Sequence, residues 1–253
     1  MSSSGSATPP ALELKGLEMR YGRSLFRPAK SVLRGVSLSV PAGASIGLIG
    51  PNGSGKSSVL RIAAGAQRAT KGGVLIFGRS LEEKSARARL GFLSDSSPFP
   101  PELSARSVLR LLAALHRLER GARNRRCEDL LERTGLAAEA QRPLGSFSRG
   151  MLRRFGLAQA FLHTPDVILL DEPTAGLDAP GYGVLEDFLG EAARRGASLL
   201  LASHNPTDLT SFTGHVFVLL DGRITRQGSP QELLPNGRGM AELYCSGPAK
   251  GSP

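Results

Sequence analysis

The strongest constraint in the chain is an eight-residue run, Gly50-Pro51-Asn52-Gly53-Ser54-Gly55-Lys56-Ser57. An apolar stretch, Ser45 to Ile49, leads into it, and apolar Val59, Leu60, Ile62 and Ala63 follow. The first reads as a buried strand, the second as a helix running from Lys56 onward. Glycines in the loop let backbone N–H groups curl around an anion where a side chain would collide. The helix leaving the loop aims its positive end at the same place. The run fits a phosphate-binding (Walker A) loop at every fixed position, in the strand–loop–helix context that such a loop needs. Lys56 can then bridge the β- and γ-phosphates of a nucleotide, and the Ser57 hydroxyl can ligate Mg²⁺.

A second apolar strand, Val167-Ile168-Leu169-Leu170, ends in Asp171-Glu172. A carboxylate emerging there can hold the metal, and Glu172, one step on, can polarise an attacking water. Taken alone this signal is weak, because apolar strands ending in acids are common.

The rest of the pattern is an α/β core split by a helical insertion from about 96 to 160. Strands are expected at Ala11 to Met19, Ser37 to Val40 and Ser198 to Ser203, with a hairpin at Val216 to Leu220, Asp221-Gly222 and Ile224. Ser104 can cap a helix whose apolar face includes Val108, Leu109, Leu111, Leu112 and Leu115. Further helices are expected at Ala122 to Thr134, stopped by Gly135, at about Gly150 to Leu162, capped by Ser148, and at Gly183 to Arg194. Between Tyr21-Gly22 and the second strand lies a basic, turn-containing stretch around Pro28. Residues 1–10 read as a flexible tail, and 236–253 as a second one.

Of the 253 residues 40% are apolar and 21% charged, an ordinary globular balance. The longest apolar runs are strand-sized, far short of the ~20 residues of a membrane helix. The small, polar N-terminus is no secretory signal, so a cytoplasmic location is expected. Two cysteines, Cys127 and Cys245, stand in no metal-ligand spacing and read as reduced and incidental. The net charge of +10 is compatible with nucleic acid, an anionic membrane face or a solvated surface. The basic residues are spread, apart from Arg123 to Arg126 and the Arg153-Arg154 pair, and charge alone decides nothing.

Specificity comes from an ordered set of motifs. Phe147-Ser148-Arg149-Gly150-Met151 precedes the Asp171 strand. Asp171-Glu172-Pro173-Thr174-Ala175-Gly176-Leu177-Asp178 runs without a gap, and Leu201-Ala202-Ser203-His204 ends the next buried strand. This set resembles the ATP-binding cassette (ABC) ATPase family over roughly residues 11–235. The resemblance implies a P-loop core with a mixed central sheet flanked by helices, an antiparallel β subdomain and the inserted helical subdomain. It implies ATP and Mg²⁺ as ligands. Tyr21 matches the aromatic that stacks on adenine, with Phe26 as a competitor. Residues 50–57 match the phosphate loop, with Ser58 following in the helix. Glu172 matches the catalytic carboxylate, His204 the switch histidine at the γ-phosphate, and Asp178 the aspartate that couples two sites. Ser148 and Gly150 match the signature positions that touch ATP bound by the opposite subunit.

Two positions depart from the family pattern. Arg149 replaces the first signature glycine. Asp95, in Gly91-Phe92-Leu93-Ser94-Asp95, replaces the usual glutamine. As a hard anionic oxygen Asp95 can still ligate Mg²⁺, but it cannot donate a hydrogen bond while ionised. Signature variants of the Phe-Ser-Arg-Gly-Met kind resemble the exporter side of the family. The expectation is therefore an ATPase subunit that powers export through separate membrane permease subunits. It would pair with a second cassette, a homodimer being the simplest case, and lie on the inner face of the membrane. An importer subunit is the alternative. A soluble ATPase acting on nucleic acid or ribosomes is a further one, disfavoured by the single cassette and the lack of a heptad run; no nucleic-acid partner is expected.

Overall fold

The structure is a computed structural model and describes residues 8–22, 30–96, 99–234 and 244. Phe26, Pro28, Cys245 and most of both proposed tails lie outside the described residues.

The chain opens with strands β1 (Leu12–Tyr21), β2 (Lys30–Val40) and β3 (Ser45–Ile49), then helix α1 (Lys56–Ala63). Strands β4 (Lys71–Ile76) and β5 (Arg79–Ser80), the short α2 (Lys84–Arg87) and β6 (Leu90–Leu93) follow. Three helices come next: α3 (Ala105–Leu115), α4 (Arg120–Arg133) and α5 (Arg149–Ala160). Then come β7 (Val167–Asp171), α6 (Ala179–Arg194), β8 (Ser198–Ser203), α7 (Pro206–Phe212), β9 (His215–Leu220), β10 (Arg223–Gly228) and α8 (Pro230–Leu233).

The strands form two sheets. One is antiparallel, in the order β2-β1-β4-β5. The other has six strands, β10-β9-β3-β8-β7-β6, parallel except for the edge hairpin β9–β10. This is the mixed central sheet and antiparallel subdomain expected from sequence. The parallel strands are buried on both faces, which is why they read as unbroken apolar runs. Alternate residues serve different cores. Ile168, Leu170, Leu199 and Leu201 pack toward the helices of the middle segment. Val167, Leu169, Leu200 and Ala202 pack toward α1 and the antiparallel sheet.

Local rules explain most element ends. Ser104 accepts a hydrogen bond from the Ser107 N–H, and Gly135 takes φ 64° just past α4. Asp221 and Gly222 both have positive φ, the geometry of a tight primed hairpin turn.

Three expectations need correction. Strand β2 begins at Lys30 rather than Ser37, because it pairs with β1 along its whole length. Helix α6 begins at Ala179 rather than Gly183; Asp178 caps it, and the proline in its first turn is pre-set for helix, so Gly181 and Gly183 do not delay it. Leu111 and Leu115 do not belong to the buried face of α3. They are 54% and 70% exposed, while Ala105, Val108, Leu109 and Ala113 are buried. The helix has two apolar faces, and only one meets α4 and α5.

Candidate nucleotide site

The parallel strands end together, and that alignment builds the site. Ile49 of β3 lies beside Ser203 of β8, and Ala202 lies beside Asp171 of β7. Leu170 in turn lies beside Leu93, the end of β6. The residues that follow each strand therefore meet at one edge. They are the loop from Gly50, His204, Glu172, and Ser94-Asp95. Ligands of parallel α/β sheets bind in this position, outside the carboxyl ends of the strands.

The loop requires its glycines. A Cβ on Gly50 would stand 2.3 Å from the Leu219 carbonyl oxygen, and one on Gly55, at φ 110°, would stand 2.7 Å from Leu33. Lys56 folds back into the loop. Its ammonium donates to the Gly50 oxygen at 2.7 Å and the Pro51 oxygen at 3.3 Å, and lies 3.8 Å from Glu172 Oε1. Burial pushes its pKa down, against the pull of Glu172 and Asp171. Ser54 and Ser58 are buried beside it, and the Ser54 hydroxyl has no hydrogen-bond partner.

Asp171 is fully buried, and neither carboxylate oxygen has a hydrogen-bond partner among the described residues. Burial raises its pKa, and the charges of Asp95 and Glu172 add to the rise. The nearby Ser57 hydroxyl, outside good hydrogen-bond geometry, opposes it. Such a carboxylate is costly unless a cation meets it. The donor set of Asp171, Ser57 and Asp95, all oxygen, suits Mg²⁺.

Glu172 sits in the left-handed region at φ 48°, a conformation that non-glycine residues rarely adopt. Its N–H donates to the Ala202 oxygen at 2.8 Å. Its Oε2 receives the His204 Nδ1–H at 2.8 Å and the His204 backbone N–H at 3.3 Å, and the Ser203 hydroxyl oxygen lies 3.3 Å away with its proton turned to Asp208. Strain held this tightly is the signature of a functional turn.

The sequence reading missed two residues that hold the site. Arg153, read there only as part of a short basic pair, is 7% exposed. Its guanidinium donates to the oxygens of Ser94 (2.7 Å), Asp171 (2.6 Å), Pro173 (3.3 Å) and Glu172. It thus ties the ends of β6 and β7 to α5, and Asp95 stands close enough to favour its charge. Asp208 on α7 is the other, bonded to Thr174 and Ser203. The partners of Arg153 and the Thr174 partner of Asp208 are distant in sequence, and no local motif announces them.

The remaining expected residues lie apart. Ser148 is exposed and caps α5, accepting from the Met151 N–H at 3.2 Å. Gly150 approaches the Gly176 carbonyl, to which a Cβ would stand at 3.4 Å. Asp178 is exposed, accepts from the Gly181 N–H at 3.0 Å and lies 3.9 Å from Arg154. Among the described hydrogen bonds and ion pairs, none of the three meets residues 50–57. Arg149 lines a cleft of about 370 Å³ together with Asp95, Phe99 and Gly176. Tyr21 ends β1, is 43% exposed, and shares a hydrogen bond with Gln67, past the end of α1 opposite to the loop.

Fold and site define a P-loop nucleotide-binding domain. Comparison with known proteins narrows this: the family profile "ABC transporter" matches residues 33–175. A Nod factor export ATP-binding protein I of Ralstonia nicotianae is 30% identical over 95% of this chain and 74% of its own length. The daunorubicin resistance ATP-binding protein DrrA3 of Streptomyces coeruleorubidus is 32% identical over 88% of this chain and 69% of its own. A solved structure described as the ATP-binding subunit of an ABC transporter superposes with TM-score 0.79 at 26% identity, covering 94% of this chain and 95% of that one. The chain belongs to the ABC transporter family, as an ATP-binding subunit. It spans between 61% and 79% of the length of such curated relatives.

Proposed function

We propose that the chain hydrolyses ATP as one half of a head-to-tail dimer and thereby drives export through a separate membrane permease. The observation that carries this reading is the unpaired, buried Asp171 carboxylate beside Ser57, with Glu172 fixed one residue on. Residues 50–57 cradle the phosphates through their backbone N–H groups, and Ser58 continues into α1. Lys56 exchanges the carbonyls of its own loop for β- and γ-phosphate oxygens. Ser57 and Asp171, with Asp95 alongside, hold Mg²⁺, which supplies positive charge to the phosphates. Glu172 orients the attacking water and takes its proton. His204 keeps the Glu172 carboxylate in place and reaches the γ-phosphate. Tyr21 stacks on adenine.

Ser148 and Gly150 would face ATP held by the second cassette, at the positive end of α5; Asp178 would link the two sites. The exposure of Ser148 and Asp178, and the absence of described bonds from the three to the chain's own loop, support this arrangement. Residues 11–235 form the working cassette. The inserted helices, about 96–160, serve as its face toward the permease at the inner side of the membrane; beyond residue 235, Tyr244 packs against the same core near Glu172. The names of the two relatives, Nod factor export and daunorubicin resistance, favour export over import.

Glu172→Gln tests the chemistry. The variant should bind ATP with wild-type affinity and dimerise stably, while turnover falls by about 10²- to 10⁴-fold. Wild-type turnover would sink the assignment. Gentle solubilisation of membranes with the tagged chain should bring down a multi-spanning permease; a solute-binding protein alongside it would reverse the export reading.

A further inference from the structure

Asp208 lies in the first turn of α7, 1% exposed, and none of the described ion pairs includes it. Its Oδ1 accepts from the Asn205 amide at 3.1 Å. Asn205 caps α7 by accepting the Thr207 N–H at 3.1 Å. That half is ordinary helix capping. The other oxygen turns away from the helix. Oδ2 accepts the Thr174 hydroxyl at 2.7 Å and the Ser203 hydroxyl at 2.7 Å. Thr174 stands two residues after Glu172, and Ser203 stands immediately before His204. A single buried oxygen thus holds the two segments that carry the Glu172–His204 pair.

We propose that Asp208 is a positioning residue for hydrolysis, setting the mutual placement of Glu172 and His204 through Thr174 and Ser203. The inference rests on the proposed role of Glu172. Glu172 occupies a left-handed conformation that its own preferences do not sustain, so an external tie is required. The Ala202 carbonyl holds its N–H directly, and the Thr174–Asp208 bond anchors the chain two residues on. The described contacts of Asp208 include none with residues 50–57. Loss of the tie therefore leaves ground-state ATP binding in place and weakens only what acts in the transition state.

The test uses the purified full chain and Mg-ATP. Thr174→Val removes one hydroxyl and leaves every other bond of Asp208. Asp208→Asn turns an amide against the Asn205 amide, donor to donor. The double swap N205D/D208N restores complementarity: the new carboxylate at 205 still caps α7 and accepts from the new amide at 208, whose oxygen receives Thr174 and Ser203. The expected result is a fall in kcat of about tenfold or more for both single variants, with KM for ATP within about twofold, and recovery in the swap to within about threefold. A swap that melts like wild type yet stays as slow as Asp208→Asn would overturn the proposal. So would wild-type kcat in Thr174→Val, which alone decides the matter if Asp208→Asn does not fold. Glu172→Gln runs in parallel. If it is inactive while Thr174→Val is normal, only the role of Asp208 falls; if it is active, the reading of Glu172 falls.

Discussion

Asp171 shows how a residue can be destabilising by itself and still be needed. Burial raises its folded pKa, so the ionised form costs stability at neutral pH; the cost shrinks as pH falls below the folded pKa and is gone below the unfolded one. Asp171→Asn should therefore stabilise the nucleotide-free protein by about 1–3 kcal/mol. It should also abolish the extra stability that Mg-ATP confers over ATP with a chelator. Thermal melts in the three conditions check both halves; a lower Tm in the nucleotide-free variant would contradict the first. Residues of this kind were legible in the sequence. Gly50 to Ser57, Asp171, Glu172 and His204 sit in short motifs whose spacing carries their chemistry. Arg153 and Asp208 were not legible, because what defines them is burial and partners far along the chain. An arginine beside another arginine looks like surface until the fold closes over it.

Between elements, the alignment of strand ends does the assembling, and α5 locks it. Arg153 reaches from the second turn of α5 to four backbone oxygens at the ends of β6 and β7. Arg153→Met keeps an unbranched stem but removes the guanidinium and strands those carbonyls. It should lower stability by about 2–4 kcal/mol, read as a drop in urea midpoint with an unchanged m-value. The strands and the main helices were readable from apolar runs, caps and glycine stops. The short pieces β4, β5, α2, β6, α7 and α8 were not, since a few residues carry no period. The apolar pattern of α3 could not say which of its two leucine-bearing faces would be covered.

At the scale of the molecule, the join between the helical layer and the main sheet is sensitive to acid. His116, at the end of α3, stacks on His163, after α5, with ring centroids 3.8 Å apart. Both ring nitrogens of His163 are buried without hydrogen-bond partners, the Leu90 backbone lying near but outside good geometry. Burial, and then the neighbouring His116, push its pKa down to about 4. A histidine with a depressed folded pKa contributes fully above its unfolded value. Its contribution is lost as pH falls from about 6.5 to about 4. The loss amounts to about 3 kcal/mol at most. Unfolding at pH 7 and pH 5 should show it, and His163→Phe should flatten the dependence. Buried Cys127, whose thiol pKa burial raises, adds no reactive group there. No helix among the described residues is long and apolar enough to cross a membrane.

Strand β3, which delivers the phosphate loop, has as its neighbours β8 and β9. During synthesis it therefore waits, unpaired on both edges, until the chain has been extended past residue 203. The antiparallel sheet and the middle helices can form earlier, but the loop lacks its fixed geometry until β8 and β9 have been made. A growing chain is thus blind to nucleotide until then and acquires the site in one step. Apolar β3 is the segment that a chaperone would have to shield in the meantime.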